Sequence, residues 1–437
     1  MKLKIKNINK VKEAVVCLNG LTVIAGANSS GKSTVGKLLF SMIKAMSNAE
    51  LLSSQTHEKK LQKRVDSLYS RASNCFSRQD LPNIEDLMPL PANKMTEKLL
   101  GLPDDEAVEA YLNSLSTLFA SVDLTPRLRT LFDQDIDNIR IAMGDSVAAD
   151  VASEIRVFIE SEFMGKITSY GCEDSEAILE LDTPDDKLEL KFHSDAINRV
   201  NTLYNEVLSD ATYVESPLYM HILDTLLLAA TYREGKSRRN VFSRGMVPIH
   251  IKDLATKISA MQYLPSDNDM GIDIESIIGG NFEIEKETQR LIFRQKGQSV
   301  PLSPINIASG IKTFGLVQIL LQTGIISPDK PLIWDEPENH LHPEWQINFA
   351  KILVLLSKSG IPVVISTHSP YFVQGIRYYS AMYDLENYTN YYLADVQSDQ
   401  LSIMRDVSSD LNQIFSKLAT PLSEIMNVDM VRKANKS

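Results

Sequence analysis

The stretch LTVIAGANSSGKST, residues 21–34, decides how this chain is read. Leu21-Thr22-Val23-Ile24-Ala25 is apolar and β-branched, as suits a strand buried on both faces. Gly26 to Ser33 then fits GxxxxGK[ST] without a gap, and Val35 to Met46 carries apolar residues at helical spacing. Strand, glycine-bearing loop and helix in this order are the context that gives a phosphate-binding loop its meaning. The amides of such a loop converge at a helix N-terminus, and its glycines allow close approach to an anion. Gly26, Asn28, Ser29, Ser30, Gly31, Lys32, Ser33 and Thr34 are therefore the candidate nucleotide-binding residues, with ATP and Mg²⁺ as expected cofactors. Lys32 is placed to bridge β- and γ-phosphates, and the Ser33 hydroxyl to ligate Mg²⁺.

Upstream, Leu3 and Ile5 alternate with lysines like a half-buried strand. A second run, Ala14 to Leu18, is followed by Asn19-Gly20, which predicts a hairpin turn before Leu21. Downstream, the character changes over 47–210. Helix-favouring stretches such as Glu58 to Arg71, Asp105 to Phe119 and Ser146 to Phe163 are separated by turn signals. Ala177 to Phe192, broken by Thr183-Pro184-Asp185-Asp186, reads as a β-hairpin inside or at the edge of this segment. From 211 strand character returns with Thr212-Tyr213-Val214. Phe282 to Glu285 and Leu291 to Phe293 form another candidate hairpin, and then helices and buried strands alternate. The expected architecture is α/β: a discontinuous ATPase head over 1–46 and 211–437, interrupted by a mainly helical insertion over 47–210 with a small β-hairpin.

Three later stretches carry chemistry. Pro331 to Glu336 is an apolar strand ending in two carboxylates, where Asp335 would hold Mg²⁺ and Glu336 would orient and polarise the attacking water. Ile361 to Ser366 is a second buried strand, ending in Thr367-His368-Ser369-Pro370, with His368 suited to sense a γ-phosphate. Ala308-Ser309-Gly310 opens a helical run just before the Asp-Glu strand. By itself that is as well explained by a helix cap as by an anion site.

In combination and in this order, the four elements resemble ABC-type ATPases, and more narrowly the stand-alone branch related to the overcoming-lysogenisation-defect family. Ser309-Gly310 is similar to the family signature, Asp335-Glu336-Pro337-Glu338-Asn339-His340-Leu341-His342-Pro343 to its extended Walker B and D-loop, and His368 to its switch histidine. The resemblance covers residues 1 to about 45 and about 260 to 380. It implies that catalysis rests on Glu336, His368 and Lys32. It also implies that Ser309 and Gly310 touch the γ-phosphate held by a second copy, in a homodimer or a higher even-numbered oligomer. It further resembles anti-phage defence ATPases that work beside a separate effector, such as the Septu ATPase with its HNH nuclease, and retron-associated versions. Two alternatives stay open: a DNA-repair or DNA-end-sensing ATPase acting directly on nucleic acid, and an ATP-binding scaffold that sequesters a toxin or effector. The signature reads Ser-Gly-Ile-Lys where transporters have Ser-Gly-Gly-Gln, which argues against transport. Glu215 and Gln262 are the candidates for the Q-loop position.

Composition narrows the partners. A net charge of −11 argues against a surface that coats nucleic acid on every face, although Arg233, Lys236, Arg238, Arg239 and Arg244 leave a local contact with nucleic acid open. Three scattered cysteines without CxxC spacing fit a reduced compartment. No stretch nears the roughly 18 apolar residues of a membrane span, so the expectation is a cytoplasmic protein without a membrane partner. Asp384, Glu386, Asp395, Asp399 and Asp406 lack the arrangement that two-metal chemistry uses, so no nuclease site is expected here. His340 and His342 fit an interface segment better than a metal site. The tyrosines over 378–392 fit packing better than base stacking.

Overall fold

The computed structural model describes residues 1–76, 90–103, 105–122, 124–143, 147–172, 175–183, 187–203, 208–231, 247–262 and 272–420. In chain order the strands are β1 (Lys2–Ile8), β2 (Val11–Cys17), β3 (Leu21–Ala25), β4 (Ala177–Asp182), β5 (Lys187–His193), β6 (Ala196–Leu203) and β7 (Thr212–Val214). They continue with β8 (Gly280–Ile284), β9 (Leu291–Gln295), β10 (Leu332–Asp335), β11 (Val363–Thr367), β12 (Thr389–Val396) and β13 (Ser402–Asp406). The helices are α1 (Lys32–Phe76), α2 (Ala92–Leu100), α3 (Asp105–Ala120), α4 (Pro126–Met143), α5 (Val147–Phe163) and α6 (Leu223–Thr231). After them come α7 (Ile249–Ser259), α8 (Ile274–Ile278), α9 (Ser309–Gln322), α10 (Pro343–Lys358) and α11 (Pro370–Met382).

Two compact units emerge, residues 1–47 with 154–437, and residues 48–153. The first is built on a sheet of eleven strands among the described residues, in the order β6-β5-β4-β1-β2-β13-β12-β3-β11-β10-β7. Strands β12, β3, β11, β10 and β7 run parallel, and their apolar runs are covered on both faces, as parallel sheets require. The other end is an antiparallel wing of β1, β2, β4, β5 and β6. Strands β8 and β9 form their own hairpin, in keeping with the alternation of that segment. Against the parallel strands, Phe314 of α9, Phe349 of α10 and Trp334 of β10 meet edge to face at 5.1 Å centroid separations. This aromatic stack fixes α9 and α10 relative to the strand that ends in Asp335.

Three sequence readings are revised here. Asn19-Gly20 does turn the chain, with Gly20 at φ 71°, but β2 and β3 do not pair. Strands β13 and β12 lie between them, because β3 takes β11 and β12 as parallel neighbours. The helical runs Val35 to Met46 and Glu58 to Arg71 belong to one helix: between Lys37 and Phe76 there is neither glycine nor proline to end α1. The β-hairpin expected within 47–210 gains a third strand and joins the main sheet through β4 against β1, with Leu179 opposite Ile5. Segment 154–210 thus contributes to the larger unit.

The unit over 48–153 has its own core. Leu61, Val65 and Leu68 of α1 pack with Met95, Leu99, Leu112, Phe132 and Ile136. Phe119 and Phe132 stack at 4.4 Å, and Arg71 pairs with the buried Asp135. Residues 232–246, which hold the basic run, lie outside the described residues.

Candidate nucleotide site

The phosphate-binding loop leaves β3 at Ala25, and Gly26 donates its amide to the Thr367 carbonyl at the end of β11. Ser29 and Gly31 adopt left-handed φ values of 59° and 82°, which bend the loop back over the start of α1. Gly36, one turn into α1, lies against Ile333 and the Tyr213 ring, where an added Cβ would stand 3.0 Å from each. That close approach lets the helix carrying Lys32 and Ser33 settle onto β10 and β7.

Lys32 is buried, yet among the described residues its ammonium donates only to the Ala27 carbonyl at 2.8 Å and stands 3.9 Å from Glu336 Oε1. Burial pushes its proton affinity down from the ordinary lysine value, while Glu336 and Asp335 pull it back up. The Ser30 hydroxyl is buried without a partner among the described residues. Ala27, Asn28 and Ser29 are exposed. A narrow pocket between loop and strands is lined by Lys32, Ser33, Asp335, Ser366 and Tyr213. An amine short of acceptors, an orphaned hydroxyl and an exposed loop backbone fit a polyphosphate. Ser33 with Asp335 is an all-oxygen pair of the kind Mg²⁺ takes beside phosphate.

The carboxylates are held by residues the motif did not name. Asp335 accepts from the Tyr213 hydroxyl at 3.2 Å through Oδ2 and from the Ser366 hydroxyl through Oδ1. Glu336 sits at φ 46°, an unfavourable region for its residue type, held there by its backbone N–H, which donates to the Ser366 carbonyl at 2.9 Å. Its Oε2 accepts from Asn339 at 3.0 Å, and its Oε1 lies 3.4 Å from His368 Nδ1. Glu338, fully buried, accepts from the Thr367 hydroxyl at 2.6 Å and from the amides of His368 at 2.7 Å and Ser369 at 3.2 Å. Lys32, Asp335, Glu336 and His368 therefore share one cleft. The roles of Tyr213 and Ser366 come from strand pairing across the sheet, and that of Glu338 from the turn that follows β10.

Ser309 and Gly310 begin α9, but their neighbours are outside the phosphate loop. Ser309 Oγ reaches the His340 carbonyl at 3.4 Å, and a Cβ on Gly310 would press on Trp345 at 2.9 Å. His342 caps α10 and His340 turns the chain at φ 65°. Glu215 follows β7 level with Asp335 and binds His250 Nε2 at 2.8 Å. Gln262 ends a short 3₁₀ turn. Asp395 pairs with Arg405 and Lys417, and Asp399 with Lys12. Tyr391 and Tyr392 pack inside β12, while Tyr378 and Tyr388 are exposed.

The head and its cleft define a P-loop ATPase domain of the ABC type. Residues 131–374 match the family model described as "AAA domain, putative AbiEii toxin, Type IV TA system". The chain belongs to that family. No curated protein matches it. Among solved structures it is similar to an SMC head domain from Thermotoga maritima, at 10% identity and TM-score 0.38, covering 93% of this chain and 98% of that one. It is also similar to an SMC head bound to the C-terminal winged-helix domain of ScpA (13% identity, TM-score 0.41, 93% and 97% covered). A third similar structure is an SMC head from Pyrococcus furiosus with an extended coiled coil, bound to the C-terminal domain of ScpA (12% identity, TM-score 0.38, 97% and 98% covered). Among the described residues, no helix is long and apolar enough to cross a membrane.

Proposed function

We propose that this chain is a Mg²⁺-dependent ATPase whose ATP-bound dimer gates a separate effector in defence against phage. The observation that carries the ATPase reading is the position of Glu336, 3.9 Å from Lys32 and 3.4 Å from His368, on the strand that delivers Asp335. Bound nucleotide and Mg²⁺ would supply the electrophilic phosphorus and its charge neutralisation. Lys32 would hold the β- and γ-phosphate oxygens, and Ser33 and Asp335 the metal. Glu336 would orient water and take up its proton, and His368 would follow the terminal phosphate.

The dimer reading is supported by Ser309 and Gly310. They meet His340, Leu341 and Trp345 and not the phosphate loop, so a second copy is what would bring them to a nucleotide. Two such composite sites, each adding charge-assisted hydrogen bonds of about 1.5–3 kcal/mol, could supply the roughly 5.5 kcal/mol that inverts an open–closed equilibrium. The defence reading is supported by the toxin–antitoxin description of the family and by the resemblance to ATPases that work beside an effector nuclease.

The test is light scattering of Glu336→Gln with ATP and Mg²⁺, followed by recovery of the tagged variant from its host. An ATP-dependent, even-numbered assembly carrying a stoichiometric effector is expected. A chain that stays monomeric, or comes back alone or with nucleic acid only, would sink the gating scheme. ATP binding undiminished by Lys32→Ala would sink the site itself.

A further inference from the structure

A polar cavity of about 250 Å³ lies at the end of the parallel sheet away from the phosphate loop. The loop leaves β3 at Ala25, beside Leu393 of β12, whereas the cavity opens where β12 begins, at Thr389 beside Leu21. Ser380, Thr389 and Tyr391 form its buried floor, and Arg377 and Glu386 stand exposed at its mouth. The floor hydroxyls are not equally provided for. Thr389 reaches the Leu385 carbonyl at 2.9 Å and the Ser380 hydroxyl at 3.0 Å. Tyr391 is 5% exposed, and its hydroxyl has no hydrogen-bond partner among the described residues. Buried polar groups are ordinarily paired, so an unpaired donor facing a cavity calls for an acceptor from outside the chain.

The charges at the mouth are also unpaired. Among the described residues, neither the Arg377 guanidinium nor the Glu386 carboxylate makes an ion pair or a hydrogen bond, with the other or with a third group. Asp410, on the same rim, is occupied: it accepts from the Asn412 amide at 3.2 Å and from Gln413 at 3.3 Å. Both free charges reach the Tyr391 hydroxyl. Burial pushes its proton affinity up, the neighbouring Ser380 and Arg377 pull it down, and Glu386 pushes it up again. Two opposite charges that share one cavity without meeting each other suit a ligand that carries both signs.

We propose that this cavity binds a small zwitterion of the free α-amino-acid class, with its carboxylate on Arg377 and the Tyr391 hydroxyl and its ammonium on Glu386. The guanidinium and the phenol supply donors to the carboxylate, and Glu386 supplies the acceptor for the ammonium. A simple anion would meet Glu386 as a like charge, and a simple cation would meet Arg377 in the same way. The volume falls below the usual range of drug-sized pockets and suits a small solute. The site is independent of the ATPase reading and survives its failure.

Thermal melts of the full-length, nucleotide-free protein with single free L-amino acids test this. At least one should raise the melting midpoint, by about 1–3 °C near saturation. Acetate, which has only the carboxylate, and ethylamine, which has only the ammonium, should not do so at the same concentration. Calorimetric titration of the responding amino acid should show about 10- to 100-fold weaker binding in Arg377→Gln and in Glu386→Gln. Both side chains are exposed, so these changes leave the fold intact. Tyr391→Phe should weaken binding by about tenfold without lowering the midpoint of the free protein, since its hydroxyl has no bond to lose. An acetate response as large as that of the amino acid would make the ligand a simple anion and overturn the class assigned here. Equal binding by the parent and all three variants would place the solute elsewhere and overturn the site. No response to any amino acid would leave the cavity to water and overturn the proposal as a whole.

Discussion

Glu338 gathers the end of the strand that carries His368: one carboxylate oxygen accepts from the Thr367 hydroxyl and from the His368 and Ser369 amides. Burial pushes this carboxyl up, while these hydrogen bonds pull it down. Glu338→Ala strands one hydroxyl and two amides in a buried place. We expect a loss of about 2–4 kcal/mol in urea unfolding, with Glu338→Gln losing less because it keeps an acceptor oxygen. ATP turnover should fall with Glu338→Ala even where the protein is folded, since His368 loses its backbone anchor.

Tyr213 lines the pocket and donates its hydroxyl to Asp335. Removing its hydroxyl in Tyr213→Phe should leave nucleotide affinity nearly unchanged while raising the Mg²⁺ concentration for half-maximal turnover by about tenfold. A titration of activity against Mg²⁺ at saturating ATP reads this directly. An unchanged Mg²⁺ midpoint would show that Ser366 alone positions the carboxylate.

His250 stands between Glu162 Oε2 at 2.5 Å and Glu215 Oε2 at 2.8 Å, with both ring nitrogens facing a carboxylate. Burial opposes its charge, but the two carboxylates win and hold it above the ordinary 6.5. The hydrogen bond with His250 holds Glu215 down at about 2. A raised histidine contributes its stability in full below 6.5 and loses it as pH rises through the folded value. A lowered carboxylate contributes in full above its ordinary 4.5 and loses that as pH falls toward about 2. The cluster therefore contributes most between about 4.5 and 6.5. His250→Gln should be less stable than the parent at about pH 6, with the gap closing on the alkaline side. Denaturant midpoints across pH check it.

Gly315 lies under the Phe282 ring, and a Cβ there would stand 2.1 Å from a ring carbon. Phe282 is buried, with its ring centroid 4.9 Å from that of Phe293, and has no free direction in which to yield. Gly315→Ala should cost about 1–3 kcal/mol by overpacking, outweighing any gain in helix propensity. A thermal melt is sufficient to see it.

The sequence made the phosphate loop readable because strand, loop and helix are consecutive and each obeys a local rule. It was equally informative about β10 and β11, whose apolar runs end where Asp335 and His368 emerge. It could not place β2 and β3 apart, since Asn19-Gly20 specifies a turn and says nothing of which strands fill the gap. For the same reason Ala177 to Phe192 was legible as strands and not as part of the main sheet. Tyr213, Ser366 and Glu338 escaped because each meets its partner across a distance of at least 29 residues. No motif spans such a gap.

The placement of β3 between β11 and β12 has a consequence for how the chain is made. Residues 21–25 leave a ribosome well before their neighbours, the last of which is Leu393. At ordinary elongation rates the wait is on the order of 20–70 s. During it a sticky apolar strand has no sheet to join and is a natural client for a chaperone. A product truncated before β12 leaves β3 one neighbour short, so an unfinished chain lacks the complete scaffold for its nucleotide loop.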